Sequence, residues 1–300
     1  MPTDMLFRGA APALVTPFTA DGELDESAFR ALIETQIDGG VDALVVLGTT
    51  GENPTVTHEE RRQLVDWAVD AAHGRVPVIV GTGTNSTAQS ITFSQEAEQA
   101  GADGLLVVGP YYNKPSQDNF VAHTAAIAEA TALPIVLYNV PGRTSFNITA
   151  ETALRIAQEV PQVVGVKEAS GDLQQITDIL AHRPSGFAVY AGDDEMALPV
   201  TLLGGDGVVS VISNALPDAF ASLAHAALAG EVASAQKQHF ALLEAMRACF
   251  YATNPVPVKT VLAATGTISE HVRLPMQPLD PESAVRRRVL DAFAPHIDIL

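Results

Sequence analysis

Residues 163–168, with the sequence VVGVKE, combine a short β-branched apolar run with a lysine at its end. Nearly continuous hydrophobicity of this kind, without polar alternation, is typical of strands buried on both faces of a parallel sheet. Seven further runs share the pattern, and each precedes a polar or glycine-rich break and a segment with helical spacing. The eight predicted strands are 11–16, 43–47, 77–80, 104–108, 135–138, 163–166, 188–190 and 207–211.

The spacing of these runs, roughly 20 to 35 residues, fits a strand, a loop and a crossover helix. Residues that favour helix N-caps precede three of the intervening segments, at Asp25, Thr57 and Ser86. Eight such units predict an α/β protein, a closed (β/α)₈ TIM barrel with additional C-terminal helices. An open doubly wound sheet is the competitor, but it usually has fewer strands and a phosphate loop after the first one, where this chain has no glycine cradle.

The strand pattern stops at Asn214, and alanine-rich helical patterns continue to the C-terminus. Residues 1–214 are therefore predicted to form the barrel core. Residues 215–300 are predicted to form the last barrel helix and a helical extension of the same structural unit, with Pro255 and Pro275 near helix boundaries.

The chain is strongly acidic, with 17 Lys and Arg against 35 Asp and Glu and a formal net charge of -18. Such a charge repels nucleic acid and anionic membrane surfaces, so neither is expected as a partner. The sequence lacks a signal peptide pattern and an apolar run of about 18 residues, which predicts a cytoplasmic protein. Cys249 is the only cysteine, the histidines have no metal-binding spacing, and Gly81-Thr-Gly83 lacks the third glycine of a dinucleotide motif, so no metal or cofactor is expected.

In a barrel of this kind the chemistry lies at the C-terminal ends of the strands, where Lys167 is the most informative residue. The other three lysines, Lys114, Lys237 and Lys259, are predicted to be peripheral. An ammonium group among apolar walls loses solvation, which leaves more neutral amine to attack a carbonyl carbon. The alternative is that Lys167 pairs with a carboxylate such as Glu168 and only ties down a strand end.

The ends of two other strands supply groups that suit such chemistry. Tyr138 ends the preceding strand, and neighbouring strands lie about 5 Å apart, so its phenol could exchange protons with Lys167. Thr49 and Thr50 follow the second strand, where amides and hydroxyls can converge on a carboxylate. Arg143 lies in a turn from which a guanidinium could bind a carboxylate in bidentate fashion. The corresponding alternatives are a core tyrosine, an ordinary turn and a surface ion pair.

Six motifs occur in order along almost the whole chain. They are GTTGE at 48–52, GPYYNKP at 109–115, YNVPGRT at 138–144, VKEASG at 166–171, GDD at 192–194 and NPVPVK at 254–259. With this set the chain closely resembles the dihydrodipicolinate synthases, within the pyruvate-dependent class I aldolase and lyase family. Several motifs in order are far more specific than any one of them.

The resemblance implies that pyruvate condenses with L-aspartate 4-semialdehyde, for lysine and diaminopimelate synthesis. Lys167 would form an imine with pyruvate that becomes an enamine, and Tyr138, Thr49 and Tyr112 would form a proton relay. Arg143 would bind the carboxylate of the aldehyde. The substrate-binding residues that the resemblance implies are Thr50, Arg143, Gly192 and Val209. In such enzymes the tyrosine matching Tyr112 reaches into a neighbouring subunit, so a homo-oligomer, a tetramer built from dimers, is expected.

Some members of this family are inhibited by lysine at a subunit interface, where Asn85, Tyr111, His58 and a glutamate commonly contribute. This chain has Gln89 where that glutamate would fall and Arg61 where a second histidine is often found. A carboxylate that would balance the ammonium group of the inhibitor is missing, so weak or absent inhibition is predicted.

Two alternatives to the synthase activity stay open. N-acetylneuraminate lyase and 2-keto-3-deoxygluconate aldolase share the lysine and the tyrosine, although the paired threonines and the arginine turn favour a short anionic aldehyde. A catalytically silent barrel that binds a 2-oxo acid is the alternative from a different class, because fold alone does not establish activity.

Overall fold

The computed structural model describes residues 5–298, in which eight parallel strands form the centre of the molecule. The strands are β1 (Gly9–Pro12), β2 (Leu44–Val46), β3 (Val78–Gly81), β4 (Gly104–Val108), β5 (Ile135–Asn139), β6 (Val163–Glu168), β7 (Ala188–Ala191) and β8 (Gly207–Ser210). Their order is β1-β8-β7-β6-β5-β4-β3-β2. The ring closes between β1 and β2, since Ala13 bridges Val45 in parallel and the Leu14 amide donates to the Val45 carbonyl at 2.9 Å. The predicted barrel is confirmed.

Helices surround the strands and continue beyond them. They are α1 (Glu26–Asp38), α2 (His58–Ala72), α3 (Thr87–Gln99), α4 (Gln117–Ala128), α5 (Pro141–Thr144), α6 (Ala150–Glu159), α7 (Leu173–His182), α8 (Ala197–Leu202), α9 (Pro217–Leu228), α10 (Val232–Ala248), α11 (Val256–Ala264) and α12 (Ala284–Phe293). The three predicted N-caps are confirmed, because Asp25, Thr57 and Ser86 each accept a hydrogen bond from a backbone amide of the first turn. None of the helices within residues 5–298 has the length and apolarity that crossing a bilayer requires.

Two strands, β1 and β6, differ from the predicted ones by more than one residue at a boundary, and the other strand ends agree to within one residue. β1 runs from Gly9 to Pro12. Beyond it the Ala13 and Leu14 amides still donate to backbone carbonyls. The Asn214 side chain then accepts from the Val15 amide at 3.0 Å and donates to the Ala13 carbonyl at 2.9 Å. β6 runs two residues further than predicted, through Glu168, so Lys167 lies inside a strand and is held by its ladder. A hydrophobic run in the sequence shows where a buried strand lies. It does not show which distant residues bond to the backbone at the end of that strand.

The barrel interior is filled by apolar side chains and is narrowed at its N-terminal end. Phe7 stacks on Tyr190 with ring centroids 4.2 Å apart, and the Tyr190 hydroxyl donates to the Phe7 carbonyl at 2.9 Å. Because Phe7 precedes β1, this pair lies at the N-terminal ends of the strands. A ligand would therefore enter from the opposite end, where the strands finish.

The C-terminal segment contains the clearest departure from prediction, because Lys259 is fully buried and not peripheral. Its ammonium donates to Glu52 Oε1 at 2.6 Å and to the His271 carbonyl at 2.8 Å. It also lies 4.5 Å from the centroid of the Phe18 ring. Pro255 precedes α11 as expected, whereas Pro275 lies in the loop between α11 and α12, far from a helix boundary. We predicted that residues 215–300 form one structural unit with the barrel. This stays a prediction, which the contact between Lys259 and Glu52 supports.

Candidate active site

Lys167 and Tyr138 face each other on neighbouring strands at the open end of the barrel. They are register partners in the β5–β6 ladder, so their side chains project from the same face of the sheet. Lys167 Nζ lies 4.2 Å from the centroid of the Tyr138 ring. Only 5% of Lys167 and 6% of Tyr138 is exposed. The amine is thus held in a largely dry environment beside a group that can exchange protons.

Glu168 does not pair with Lys167, because successive side chains of a strand point to opposite faces. Its carboxylate accepts hydrogen bonds from Asn139 Nδ2 at 2.8 Å, Gln175 Nε2 at 2.6 Å and the Ser170 amide at 3.1 Å. Burial raises the pKa of Glu168, and these hydrogen bonds oppose the rise. Within residues 5–298, Lys167 makes no salt bridge, so the structure does not support a pairing of Lys167 with Glu168.

The loop after β2 presents Thr49 and Thr50 at the same end of the barrel. It is a tight turn, in which the Gly51 amide donates to the Gly48 carbonyl at 3.2 Å and the Glu52 amide to the Thr49 carbonyl at 3.1 Å. A Cβ at position 51 would lie 3.1 Å from the Leu14 carbonyl oxygen, which favours glycine there. Thr50 is buried and Thr49 is partly exposed. The side chain of Thr50 therefore lies in the protein interior, whereas that of Thr49 is partly open to solvent.

A cavity of about 450 Å³ opens beside this loop and brings three of the predicted residues together. Thr49, Tyr138 and Arg143 line it, whereas Lys167 contacts the Tyr138 ring but is not part of the lining. Arg143, in α5, is exposed and makes no ion pair within the described chain, so the surface-pair alternative has no support. Its guanidinium is available for an anion in the cavity.

Gly192 and Val209 border the site from β7 and β8. A Cβ at position 192 would lie 3.1 Å from Lys167 Cε and 2.6 Å from Ala169 Cβ, so a larger residue there would press on the lysine. Val209 is a buried member of the barrel interior that also contains Tyr138. The size of residue 192 therefore affects the space around Lys167, and Val209 contributes to the apolar interior around Tyr138.

Tyr112 is not brought together with the other predicted residues within one chain. It lies in the loop after β4, is 90% exposed and lies outside the cavity lining. Its φ of 68° is in the left-handed region, which few residues other than glycine adopt. An aromatic side chain so exposed on a strained loop leaves most of its apolar surface in water.

Two carboxylates after β7, Asp193 and Asp194, were overlooked as individual residues, although the acidic pair directly after a buried strand is visible in the sequence. Burial raises the pKa of Asp193, and the nearby Lys167 opposes the rise. Asp194 is fully buried and accepts from the amides of Ile212 at 2.9 Å and Val211 at 3.1 Å. Burial raises the pKa of Asp194 to about 6. Asp194 thus joins the ends of β7 and β8.

Asn254 is a further residue that sequence reasoning missed, although it begins the motif at 254–259. Its Nδ2 donates to Thr50 Oγ1 at 2.8 Å, and both residues are buried. The motif was visible, but nothing local indicates that it contacts a loop some two hundred residues earlier.

Three of the residues considered for lysine inhibition, Arg61, Gln89 and Tyr111, line the same cavity. The Arg61 guanidinium donates to the Gly81 carbonyl at 2.7 Å and lies 3.9 Å from the Phe93 ring centroid. Burial lowers the pKa of Arg61 to about 10. His58 is hydrogen-bonded to Glu96 at 2.7 Å.

Residues 5–298 hold no cluster of three or more His, Cys, Asp or Glu side chains suited to a metal ion.

Comparisons with known proteins agree with one another. Residues 6–290 match the model of the dihydrodipicolinate synthetase family. The 4-hydroxy-tetrahydrodipicolinate synthase of Salinibacter ruber is 66% identical over 299 residues, which cover 100% of this chain and 99% of that one. The enzyme of the same name from Maridesulfovibrio salexigens is 49% identical, covering 92% and 94% of the two chains.

Solved structures support the same assignment. The crystal structure of dihydrodipicolinate synthase from Aquifex aeolicus superimposes with a TM-score of 0.94 at 38% identity and covers 97% of this chain and 98% of that one. A family model that matches nearly the whole chain, together with relatives of this identity, decides the assignment. This chain belongs to the dihydrodipicolinate synthetase family.

Proposed function

We propose that this chain condenses pyruvate with L-aspartate 4-semialdehyde through a lysine Schiff base, giving 4-hydroxy-tetrahydrodipicolinate for lysine and diaminopimelate synthesis. One observation carries the proposal: Lys167 Nζ lies 4.2 Å from the Tyr138 ring centroid, buried at the open end of the barrel. The product is the one in the name of the Salinibacter ruber relative, which this chain matches over its full length. The chain is accordingly a lyase.

Each bond change can be assigned to a group in the site. The neutral amine of Lys167 attacks the carbonyl carbon of pyruvate, and the loss of one water molecule leaves an imine. Loss of a methyl proton gives an enamine, whose methylene carbon attacks the aldehyde carbon of the second substrate. The aldehyde oxygen takes up a proton, for which Tyr138 is the donor. The amino nitrogen of the second substrate then attacks the imine carbon, which closes the ring and releases Lys167.

The proton relay continues from Tyr138 through Thr49 to Tyr112. Thr49 and Tyr138 line the same cavity, which supports their part in it. Tyr112 is 90% exposed and lies outside this lining, so it acts in the site of a neighbouring subunit. The functional form is therefore a homo-oligomer, a tetramer built from dimers.

The substrates bind on two sides of Lys167. Thr50, Gly192 and Val209 enclose the pyruvate, since Gly192 leaves room directly beside Lys167 Cε. Arg143 binds the carboxylate of the aldehyde, for which its exposed position in the cavity lining is suitable. The partners are thus small anions, and the formal net charge of -18 argues against nucleic acid or an anionic membrane surface.

A cytoplasmic location is part of this proposal. Cys249 is a buried free thiol, which suits a reducing compartment. The reaction also serves amino-acid synthesis.

Borohydride reduction in the presence of pyruvate, followed by mass spectrometry, tests the chemistry. The expected result is a pyruvate-derived adduct on Lys167 in the wild-type protein and none in a Lys167→Arg variant. Lys237→Arg is the matched control, because Lys237 is exposed and lies on α10, away from the site. An active protein that is trapped elsewhere, or not at all, would contradict the proposal.

Turnover of three substrates by one preparation separates the synthase from its alternatives. Aspartate semialdehyde with pyruvate should be turned over, whereas N-acetylneuraminate and 2-keto-3-deoxygluconate should not, because Arg143 suits a short anionic aldehyde and not a polyol. A protein that binds pyruvate but turns over none of the three would be the silent barrel.

A further inference from the structure

The direction of one hydrogen bond decides what the Thr50 hydroxyl can do. A hydroxyl has one proton to donate and two lone pairs with which to accept. Asn254 Nδ2 donates to Thr50 Oγ1 at 2.8 Å, so Thr50 is the acceptor in this contact. Within residues 5–298, Thr50 Oγ1 makes no other hydrogen bond. Its proton is therefore unused, although the side chain is buried.

The side-chain amide of Asn254 is oriented with its nitrogen toward Thr50, although this leaves its own oxygen without a hydrogen bond. Asn254 Oδ1 is buried and has no hydrogen-bond partner in the described part of the chain. If the amide were turned over, the Thr50 proton would be used to satisfy that oxygen. The observed direction leaves the free donor on Thr50, beside the open end of the barrel, and not on Asn254.

A second contact holds Asn254 in place over the same loop. Lys259, five residues further along, donates to Glu52 Oε1 at 2.6 Å, and Glu52 follows Thr50 by two residues. Glu52 Oε2 also accepts from the Arg273 amide at 3.0 Å. Two side chains of the C-terminal segment thus contact two residues of the loop after β2, which fixes the distance between Asn254 and Thr50.

We propose that Asn254 is a positioning residue for the condensation, which aims the Thr50 proton at the carboxylate of the bound 2-oxo acid. The inference rests on the proposed function, in which Thr50 binds pyruvate. Asn254 itself does not touch the substrate. It saturates a lone pair of Thr50 Oγ1, so that the remaining O–H points toward the anion and needs no reorientation when pyruvate binds.

An Asn254→Asp variant tests the direction, since its shape is nearly unchanged but an ionised carboxylate only accepts hydrogen bonds. Thr50 must then donate to residue 254 and loses its proton for the substrate. The KM for pyruvate should rise about 10- to 100-fold, the effect of one hydrogen bond to a charged group, while kcat changes less. Asn119→Asp, on the exposed surface of α4, introduces the same charge and should leave KM unchanged.

A double-mutant cycle with Thr50→Ala separates positioning from plain charge repulsion or a structural effect. With the hydroxyl gone, the Asn254→Asp change should raise KM by less than about threefold. An equal rise in KM in both backgrounds would overturn the inference. If Asn254→Asp does not fold, the same cycle with Asn254→Ala applies, and the rise in KM must again depend on Thr50.

The wild-type protein is measured first in the same assays. If it is neither trapped by borohydride with pyruvate nor active with aspartate semialdehyde, the proposed function fails. If it passes both tests and the cycle shows no coupling between Asn254 and Thr50, only the positioning role fails.

Discussion

Replacing Lys259 by methionine tests the buried ion pair that joins α11 to the loop after β2. Both side chains of the Lys259–Glu52 pair are 0% exposed, and their charged atoms lie 2.6 Å apart. In Lys259→Met the Glu52 carboxylate stays buried, with the Arg273 amide at 3.0 Å as a remaining donor. An uncompensated buried charge of this kind costs about 3 to 5 kcal/mol of unfolding free energy.

The cost can be converted into a melting temperature. At about 2.1 cal/mol/K per residue, a chain of 300 residues unfolds with an entropy near 0.6 kcal/mol/K, so the loss corresponds to about 5 to 8 °C. Differential scanning calorimetry measures it, with all variants at one protein concentration because assembly shifts the transition. Lys237→Met is the matched control, since Lys237 is exposed on α10, and it should shift the melting temperature by less than about 1 °C.

The double variant Glu52→Gln with Lys259→Met completes the test. Removing both charges removes the unpaired one, so most of the lost stability should return. Burial lowers the pKa of Lys259 and the neighbouring Glu52 opposes this shift, so the buried pair carries a desolvation cost. A shift below about 2 °C in Lys259→Met, or a double variant as unstable as the single one, would refute this reasoning.

Four further outcomes follow from the site. Tyr138→Phe should lower kcat by about 10² to 10⁴ in a steady-state assay, because it removes the proton donor, and an unchanged kcat would exclude that role. Gly192→Ala should slow borohydride trapping by pyruvate at least about tenfold, because its Cβ would lie 3.1 Å from Lys167 Cε; trapping at the wild-type rate would contradict this. Burial raises the pKa of Asp194 from 3.8 to about 6. Between these two pH values the carboxyl group is therefore protonated in the folded state and ionised in the unfolded state. Unfolding free energy should therefore fall by about 3 kcal/mol as pH rises through that window, and urea titrations of Asp194→Asn should lack the fall. Lysine should inhibit initial rates weakly or not at all, since Gln89 supplies no carboxylate, and inhibition at sub-millimolar lysine would refute this.

Much of the fold was predictable from local patterns. Strands buried on both faces must be apolar along their whole length, so each of the eight runs marks its own strand. Parallel strands in chain order place Tyr138 beside Lys167, which the β5–β6 register confirms. The helix starts at Asp25, Thr57 and Ser86 were equally visible, because a cap needs only its own side chain and the next three residues.

Only the tertiary structure decided the features that depend on distant partners. The backbone that follows β1 is held in part by the side chain of Asn214, which lies 199 residues beyond Val15. Lys259 was predicted to be peripheral because its neighbours say nothing of Glu52, which lies 207 residues earlier. The contact between Asn254 and Thr50 spans 204 residues. A residue's own neighbourhood in the sequence sets its backbone and its hydrophobic face, but the partner of a buried polar group is chosen by the folded chain.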